Sequence, residues 1–381
     1  MAPLDPTTRT AFLRDLGAAQ YATQHGVVSS RASAAAGHWS IWTDFCTQLA
    51  LDPFLEDVPD PVVFLQVFFH RYRTGQISDS QRPVRGRTAE DAVRSVAQTF
   101  TAVGAPDPRK TSQGSMDFRL QRQLAHYKKQ DPPPNRVKPV PITVLQHIMF
   151  AALASTSVAN LSVADMICIA FFFLLRPGEY TGTKSETTPF RLCDVSLSVG
   201  GQHIDLSTAS DATIMSATFA TLEFTSQKNG VRGEVIGLGR SGNPQFCPVL
   251  SIARRVLHLR SHHAPPTTPL AMYYDDHNVL RPVRPADITS ALRAAVTALN
   301  PASLGFLPSD VSARCLRAAG AMALLCANVD TDHIRLIGRW RSDEMLRYLH
   351  VQAEPVMRDF SRLMLFGGAF RLHPNAAVPL Y

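Results

Sequence analysis

Apolar residues return at helical intervals from Ser29 onward, where Ala36, Trp39, Ile41, Trp42, Phe45 and Leu49 predict a first long helix. Pro53 and Pro59 in LALDPFLEDVPDP break it. A second helix is predicted over 61–73, with Val63, Phe64, Val67 and Phe68 as its apolar face. A third is predicted over 88–103, entered at Thr88 with Glu90 and Asp91 in its first turn, as a helix start favours. A fourth, over 117–130, sets Leu120, Leu124 and Tyr127 among Arg119, Arg122, Lys128 and Lys129. Four helices without strands predict an all-α N-terminal domain over 26–130, preceded by a polar, flexible stretch, 1–25.

DPPPNRVKPVP, residues 131–141, reads as a stiff, extended, basic linker carrying Arg136 and Lys138, the alternative being an ordinary surface loop. Beyond it the pattern changes. Helical stretches at 142–154 and 162–175 precede LLRPGEYTGT, where Pro177-Gly178 interrupts the helix. Runs rich in Val, Ile, Thr and Phe at about 192–198, 214–226 and 231–238 predict strands, the last two joined by a hairpin at Asn229-Gly230. Helices return at about 248–261, 286–299, 310–328 and 342–351. The expected fold is mainly α with a small antiparallel β-sheet: an α+β domain over 142–354 behind a separate all-α one. Residues 355–381 add an amphipathic helix (Val356, Phe360, Leu363, Met364) and a tail. That helix either covers its own domain or docks on a neighbouring subunit.

Composition agrees with this picture and adds a partner. A chain of 381 residues, 45% hydrophobic and 18% charged, is long enough for two cores and describes a folded soluble protein. The net charge is +7, and between Arg82 and Lys138 alone 12 Lys and Arg face 5 Asp and Glu, a balance of +7. The basicity is therefore local and points to a polyanion. Cys46, Cys168, Cys193, Cys247, Cys315 and Cys326 are scattered without a CxxC pair, which favours reduced, mostly buried thiols in an intracellular protein over disulfides or zinc. The first residues lack the apolar core of a signal peptide. The most apolar run, Met166–Leu175, falls well short of the ~20 residues a bilayer requires, so no membrane partner is expected.

Several residues carry candidate chemistry. Arg176 closes an apolar helix, and Glu179 stands three residues on as a group that could orient it. Lys228 falls at the tip of the hairpin. Arg314 and Arg317 are spaced to share one face of a helix that continues into the small-residue run Ala318-Ala319-Gly320-Ala321. Guanidinium forks there suit a phosphodiester and the extra charge of its transition state. Gly338-Arg339 leads into a helix that Ser342 can cap, and Tyr348 lies ten residues beyond Gly338. A phenol is a poor nucleophile near neutrality unless cations lower its pKa or a base takes its proton. Taken singly, each residue has an ordinary structural reading; their order carries more.

Arg176, Lys228, Arg314-x-x-Arg317, Gly338-Arg339 and Tyr348, in that order, resemble the signature of the tyrosine recombinases, the integrase family. The phrases QKNG, CPV and GRWRSD resemble most the recombinases of eukaryotic mobile elements of the Crypton and DIRS type. The resemblance covers nearly the whole chain, and the helical first domain and basic linker are similar to that family's core-binding domain and connector. It implies a strand transferase that clamps the scissile phosphate with Arg176 and Arg317 and donates to a phosphate oxygen from Arg339. Lys228 would protonate the leaving 5′ oxygen, and Tyr348 would hold a transient 3′-phosphotyrosyl bond. No metal or cofactor is implied. The implied partner is double-stranded DNA, bound by a homo-oligomer (dimer or tetramer), in the nucleus if the host is eukaryotic. Arg82, Arg85, Arg87, Arg119, Arg122, Lys128, Lys129, Arg136 and Lys138 are the expected DNA contacts. One departure stands out. Arg314 occupies the family's usual histidine, and a guanidinium cannot be a general base near neutral pH. Either Arg314 lowers the Tyr348 pKa through its charge, or the chain is a weakened copy that binds DNA without efficient cleavage.

Overall fold

The computed structural model describes residues 5–26, 29–133, 138–181, 189–225, 233–341, 345 and 362. Its contacts divide the chain into two units, Met1–Pro134 and Asn135–Tyr381, a division that falls within the proline-rich stretch.

The first unit contains α1 (Pro6–His25), α2 (Ser29–Gln48), α3 (Pro61–Arg73), α4 (Gly86–Ala102) and α5 (Phe118–Gln130). Where the sequence reading expects loose chain over 1–25, the structure places α1. Local capping explains it: the Asp5 carboxylate accepts the Thr7 and Thr8 N–H groups, and Pro6 presets the first helical φ. The large apolar residues of α1, Phe12, Leu13, Leu16 and Tyr21, are all exposed. The core lies among α2 to α5, where Trp42, Phe45, Phe68 and Phe100 are buried and the Trp42 ring meets Phe68 edge-on at 5.1 Å.

The start of α4 also differs from expectation. The helix begins at Gly86, two residues before Thr88, and its cap comes from far along the chain. Both oxygens of the Asp131 carboxylate accept the Gly86 N–H, at 2.9 and 3.1 Å, while Asp131 also pairs with Arg73 at 2.8 Å. A Cβ on Gly86 would lie 3.0 Å from the Tyr127 Cβ, so α4 starts hard against the end of α5.

The second unit begins with α6 (Ile142–Leu153), α7 (Val158–Phe172) and the single turn α8 (Pro177–Tyr180). Strands β1 (Val195–Val199) and β2 (Gln202–His203), helix α9 (Asp211–Met215), and strands β3 (Phe219–Phe224) and β4 (Glu234–Gly239) follow. The sheet is antiparallel in the order β2-β1-β3-β4, with Leu222 opposite both Val195 and Ile236. Ala220, Leu222 and Phe224 alternate inward, as a one-sided strand requires. Next come α10 (Pro248–Ser261), the hairpin β5 (Met272–Tyr274) and β6 (Leu280–Pro282), α11 (Pro285–Ala298), the turn α12 (Pro301–Leu304), α13 (Cys315–Cys326) and α14 (Thr331–Ile337).

Helix α7 is the hub. Helices α6, α10, α11 and α13 all pack on it, which is why every residue from Ala164 to Phe171 is buried. The helix predicted over 310–328 is shorter: 308–310 forms a 3₁₀ turn and the α-helix runs only over Cys315–Cys326. Cys46, Cys168, Cys247 and Cys315 are buried, and burial pushes the Cys46 thiol up to about 12. No described helix is long and apolar enough to cross a membrane.

Candidate active site

Helix α7 ends abruptly. Leu174 turns into the left-handed region at φ 50°, a conformation that costs a non-glycine residue about 1 kcal/mol or more. Its side chain, 1% exposed, is held among Ala321, Met322, Ile334 and Trp340. The turn directs the Leu174 carbonyl toward two guanidinium groups that arrive from later in the chain.

The first is Arg317. A Cβ on Gly320 would stand 2.2 Å from the Phe171 carbonyl oxygen, so only glycine lets α13 lie this close to the end of α7. One turn earlier, Arg317 is buried and donates from Nη1 to the Leu174 carbonyl at 2.7 Å and from Nη2 to the Gly338 carbonyl. The face of Trp340 lies 4.1 Å from its guanidinium carbon.

The second is Arg339, which follows the end of α14 at φ 56°. A Cβ on Gly338 would fall 1.6 Å from the Trp340 ring, so the chain can make this turn only without one. The Arg339 side chain is 1% exposed and donates to the carbonyls of Phe173, Ile337 and Leu174 and to Glu179 Oε2 at 3.0 Å. Its guanidinium lies 3.7 Å over the Phe224 ring, and its Nε has no hydrogen-bond partner among the described residues. Burial lowers its pKa to about 10, against the attraction of Glu179, so the group stays cationic at neutral pH.

Arg176 completes the group, and the ion pair expected with Glu179 forms. Glu179, 3% exposed, accepts from the Arg176 backbone N–H at 2.8 Å and from its Nη1 at 2.9 Å. The Arg176 side chain itself is 31% exposed. Three arginines separated by up to 163 positions (176 to 339) thus meet at the end of one buried helix, and two of them, Arg176 and Arg339, share the buried Glu179 carboxylate.

Arg314 does not share a face with Arg317. It stands at the N-cap of α13 and is exposed, whereas Arg317 is buried, because the helix starts later than its apolar pattern suggests. Lys228, Tyr348 and Arg136 lie outside the described residues. Two contributors, Trp340 and Leu174, are not among the residues the sequence pattern singles out. Trp340 could have been found from its place two residues after a glycine, whereas the left-handed turn at Leu174 has no signal, since leucine rarely adopts it.

The expected DNA contacts of the first unit separate into two kinds. Arg82, Arg85 and Arg87 are exposed around the start of α4, and Lys128 and Lys129 are exposed at the end of α5, which packs against it. Within this group Arg85 donates to the Pro133 carbonyl at 3.2 Å and Lys128 lies 3.4 Å from Glu90. Arg119 stands apart: its donors go to the Asp60 and Asp117 carboxylates, in hydrogen bonds that hold its pKa above the usual arginine value and tie α5 to the start of α3. Arg122 lies over the exposed Phe118 ring at 5.5 Å. In the second unit, Lys138 lies 3.6 Å from Asp310, just before α13.

The class this fold defines is mainly α with a small four-stranded antiparallel sheet and a two-stranded one, the second unit being α+β. No family model matches the sequence, and no curated protein matches it. Among solved structures, the chain is similar to the Tn1549 transposon integrase in complex with circular intermediate DNA, at 16% identity and a TM-score of 0.43, over 77% of this chain and 83% of that one. It is similar also to the XerA recombinase, at 12% identity and a TM-score of 0.37, over 85% and 97% of the two chains. The XerH site-specific recombinase bound to its difH substrate matches at 10% identity and a TM-score of 0.38, over 79% and 96%.

Proposed function

We propose that this chain is a tyrosine-type DNA recombinase or integrase, the enzyme of a transposable element, acting in the nucleus where the host is eukaryotic. The observation that carries the reading is the convergence of Arg176, Arg317 and Arg339 on the end of α7, with Arg176 partly exposed. Such a cluster suits a phosphodiester, whose transition state gains negative charge. Arg176 holds a non-bridging oxygen of the scissile phosphate, with Arg317 and Arg339 adding positive charge from within. The phenolic oxygen of Tyr348 attacks phosphorus, and the bond from phosphorus to the 5′ oxygen breaks. The phenol gives up its proton to solvent water as the 5′ oxygen gains one from Lys228, which is reprotonated from water. The phosphate stays on the tyrosine as a diester, so the reverse attack by a 5′ hydroxyl reseals the strand with no outside energy. Exchange between two duplexes calls for a homo-oligomer on DNA.

A second reading, DNA binding without efficient cleavage, is favoured by two observations. Arg314 occupies the position that is histidine in the signature this chain resembles, and a guanidinium cannot accept a proton near neutral pH; the terminal nitrogens of Arg317 already donate to main-chain carbonyls. Incubation with nicked suicide duplexes bearing the ends of its own mobile element separates the readings. A covalent adduct that disappears in Tyr348→Phe supports the enzyme. Salt-sensitive binding with no adduct supports the second reading, and salt-insensitive or absent binding overturns both.

A further inference from the structure

We propose that Arg339 is a positioning residue, whose guanidinium fixes the Glu179 carboxylate so that Glu179 orients Arg176 toward a bound phosphate. What Arg176 does with the phosphate rests on the reading above; the relay itself rests on geometry.

The position invites a different role, that of a direct phosphate donor. Its surroundings argue against one. The side chain is 1% exposed, and both of its terminal nitrogens already donate inward, Nη1 to the Phe173 and Ile337 carbonyls and Nη2 to Leu174 and Glu179. The Phe224 ring covers one face at 3.7 Å. A cation enclosed in this way acts on what encloses it. Its anionic partner at hydrogen-bond distance is Glu179 Oε2, at 3.0 Å, and the same oxygen accepts the Arg176 backbone N–H at 2.8 Å.

Two donors on one oxygen leave the carboxylate a single orientation. The other oxygen, Oε1, then points at Arg176 Nη1, 2.9 Å away. Arg339 also divides the negative charge. A buried carboxylate with Arg176 as its sole cation would draw that side chain inward; shared with Arg339, it leaves the outer donors of Arg176 for an incoming anion. The left-handed turn at Arg339 and the missing Cβ at Gly338 are what allow the side chain to reach back under α7.

The test uses the full chain with Arg339→Met, Arg339→Lys, Glu179→Gln and the double variant Arg339→Met/Glu179→Gln. Thermal melting first confirms folding, and if Arg339→Met does not fold, Arg339→Lys and Glu179→Gln carry the comparison. Two readouts are taken: single-turnover adduct formation on a nicked duplex, and labelling of Arg176 by phenylglyoxal, mapped by mass spectrometry. Loss of the relay is expected to slow adduct formation at least 100-fold while duplex affinity stays within about twofold, and to change Arg176 labelling several-fold. Arg339→Lys should recover part of both, and the double variant should be no worse than the poorer single one. Unchanged labelling and rate in Arg339→Met, or fully additive losses in the double variant, would overturn the relay. Should wild type form no adduct, the enzymatic reading fails by itself, and Arg176 labelling alone decides the relay.

Discussion

Glu179 serves two guanidinium groups from a site that is almost wholly enclosed, and this makes it intolerant of neutralisation. Glu179→Gln keeps the shape but leaves Arg339 buried without its anion, so a loss of about 3 kcal/mol in urea unfolding is expected. A second residue reports through pH. His258 on α10 accepts the Tyr274 N–H through Nε2 at 2.9 Å, and burial, with Arg255 and His262 adding repulsion, lowers its pKa from 6.5 to about 4. The folded state therefore favours the neutral ring. Its contribution is fully present above pH 6.5 and is lost as pH falls from there toward 4. Melting temperature should fall over that interval in wild type and fall less in His258→Gln, which keeps an acceptor but does not titrate. The arginines of the site were legible in the sequence because their order and spacing survive in one dimension. The relay among them was not, since it depends on a left-handed leucine and a carbonyl whose direction no residue type announces.

Among the elements, those with strong end signals have the predicted bounds, although the buried face of α3 is Val62, Leu65, Phe68, Phe69 and Tyr72, with the predicted Val63 and Val67 exposed. Helix α3 starts at Pro61 after an aspartate and ends on Arg73, and α10 starts at Pro248, both as the residues predict. The hairpin of β5 and β6 was missed because each strand is three residues long, and α14 because a seven-residue helix shows little periodicity. Helix α4 shows the limit most plainly, for its cap lies 45 residues downstream in Asp131. The close approach of α13 to α7 predicts a sharp response at Gly320. Gly320→Val would drive side-chain atoms into the Phe171 carbonyl and cost about 3 kcal/mol or more, measurable as a lowered urea midpoint with an unchanged slope. At the junction of α4 and α5, Lys129→Ala should reduce the slope of log affinity against log salt by about 1 if this surface meets phosphates. Arg119→Ala should leave that slope nearly unchanged, because its donors are already taken by Asp60 and Asp117.

At the scale of the whole molecule, each unit has a buried cluster of its own, one around Trp42 and Phe68 and one around α7. Expressed separately, residues 1–134 and 135–381 should each melt cooperatively, as followed by circular dichroism and calorimetry. Asp131 sets where such a cut can fall. It follows the last residue of α5 and looks like the beginning of a spacer, yet it caps α4 and pairs with Arg73. For a chimera that grafts the first unit onto another catalytic partner, the donor segment must therefore run through Asp131. A fusion joined at 130 would carry every helix and still lose the carboxylate that closes them.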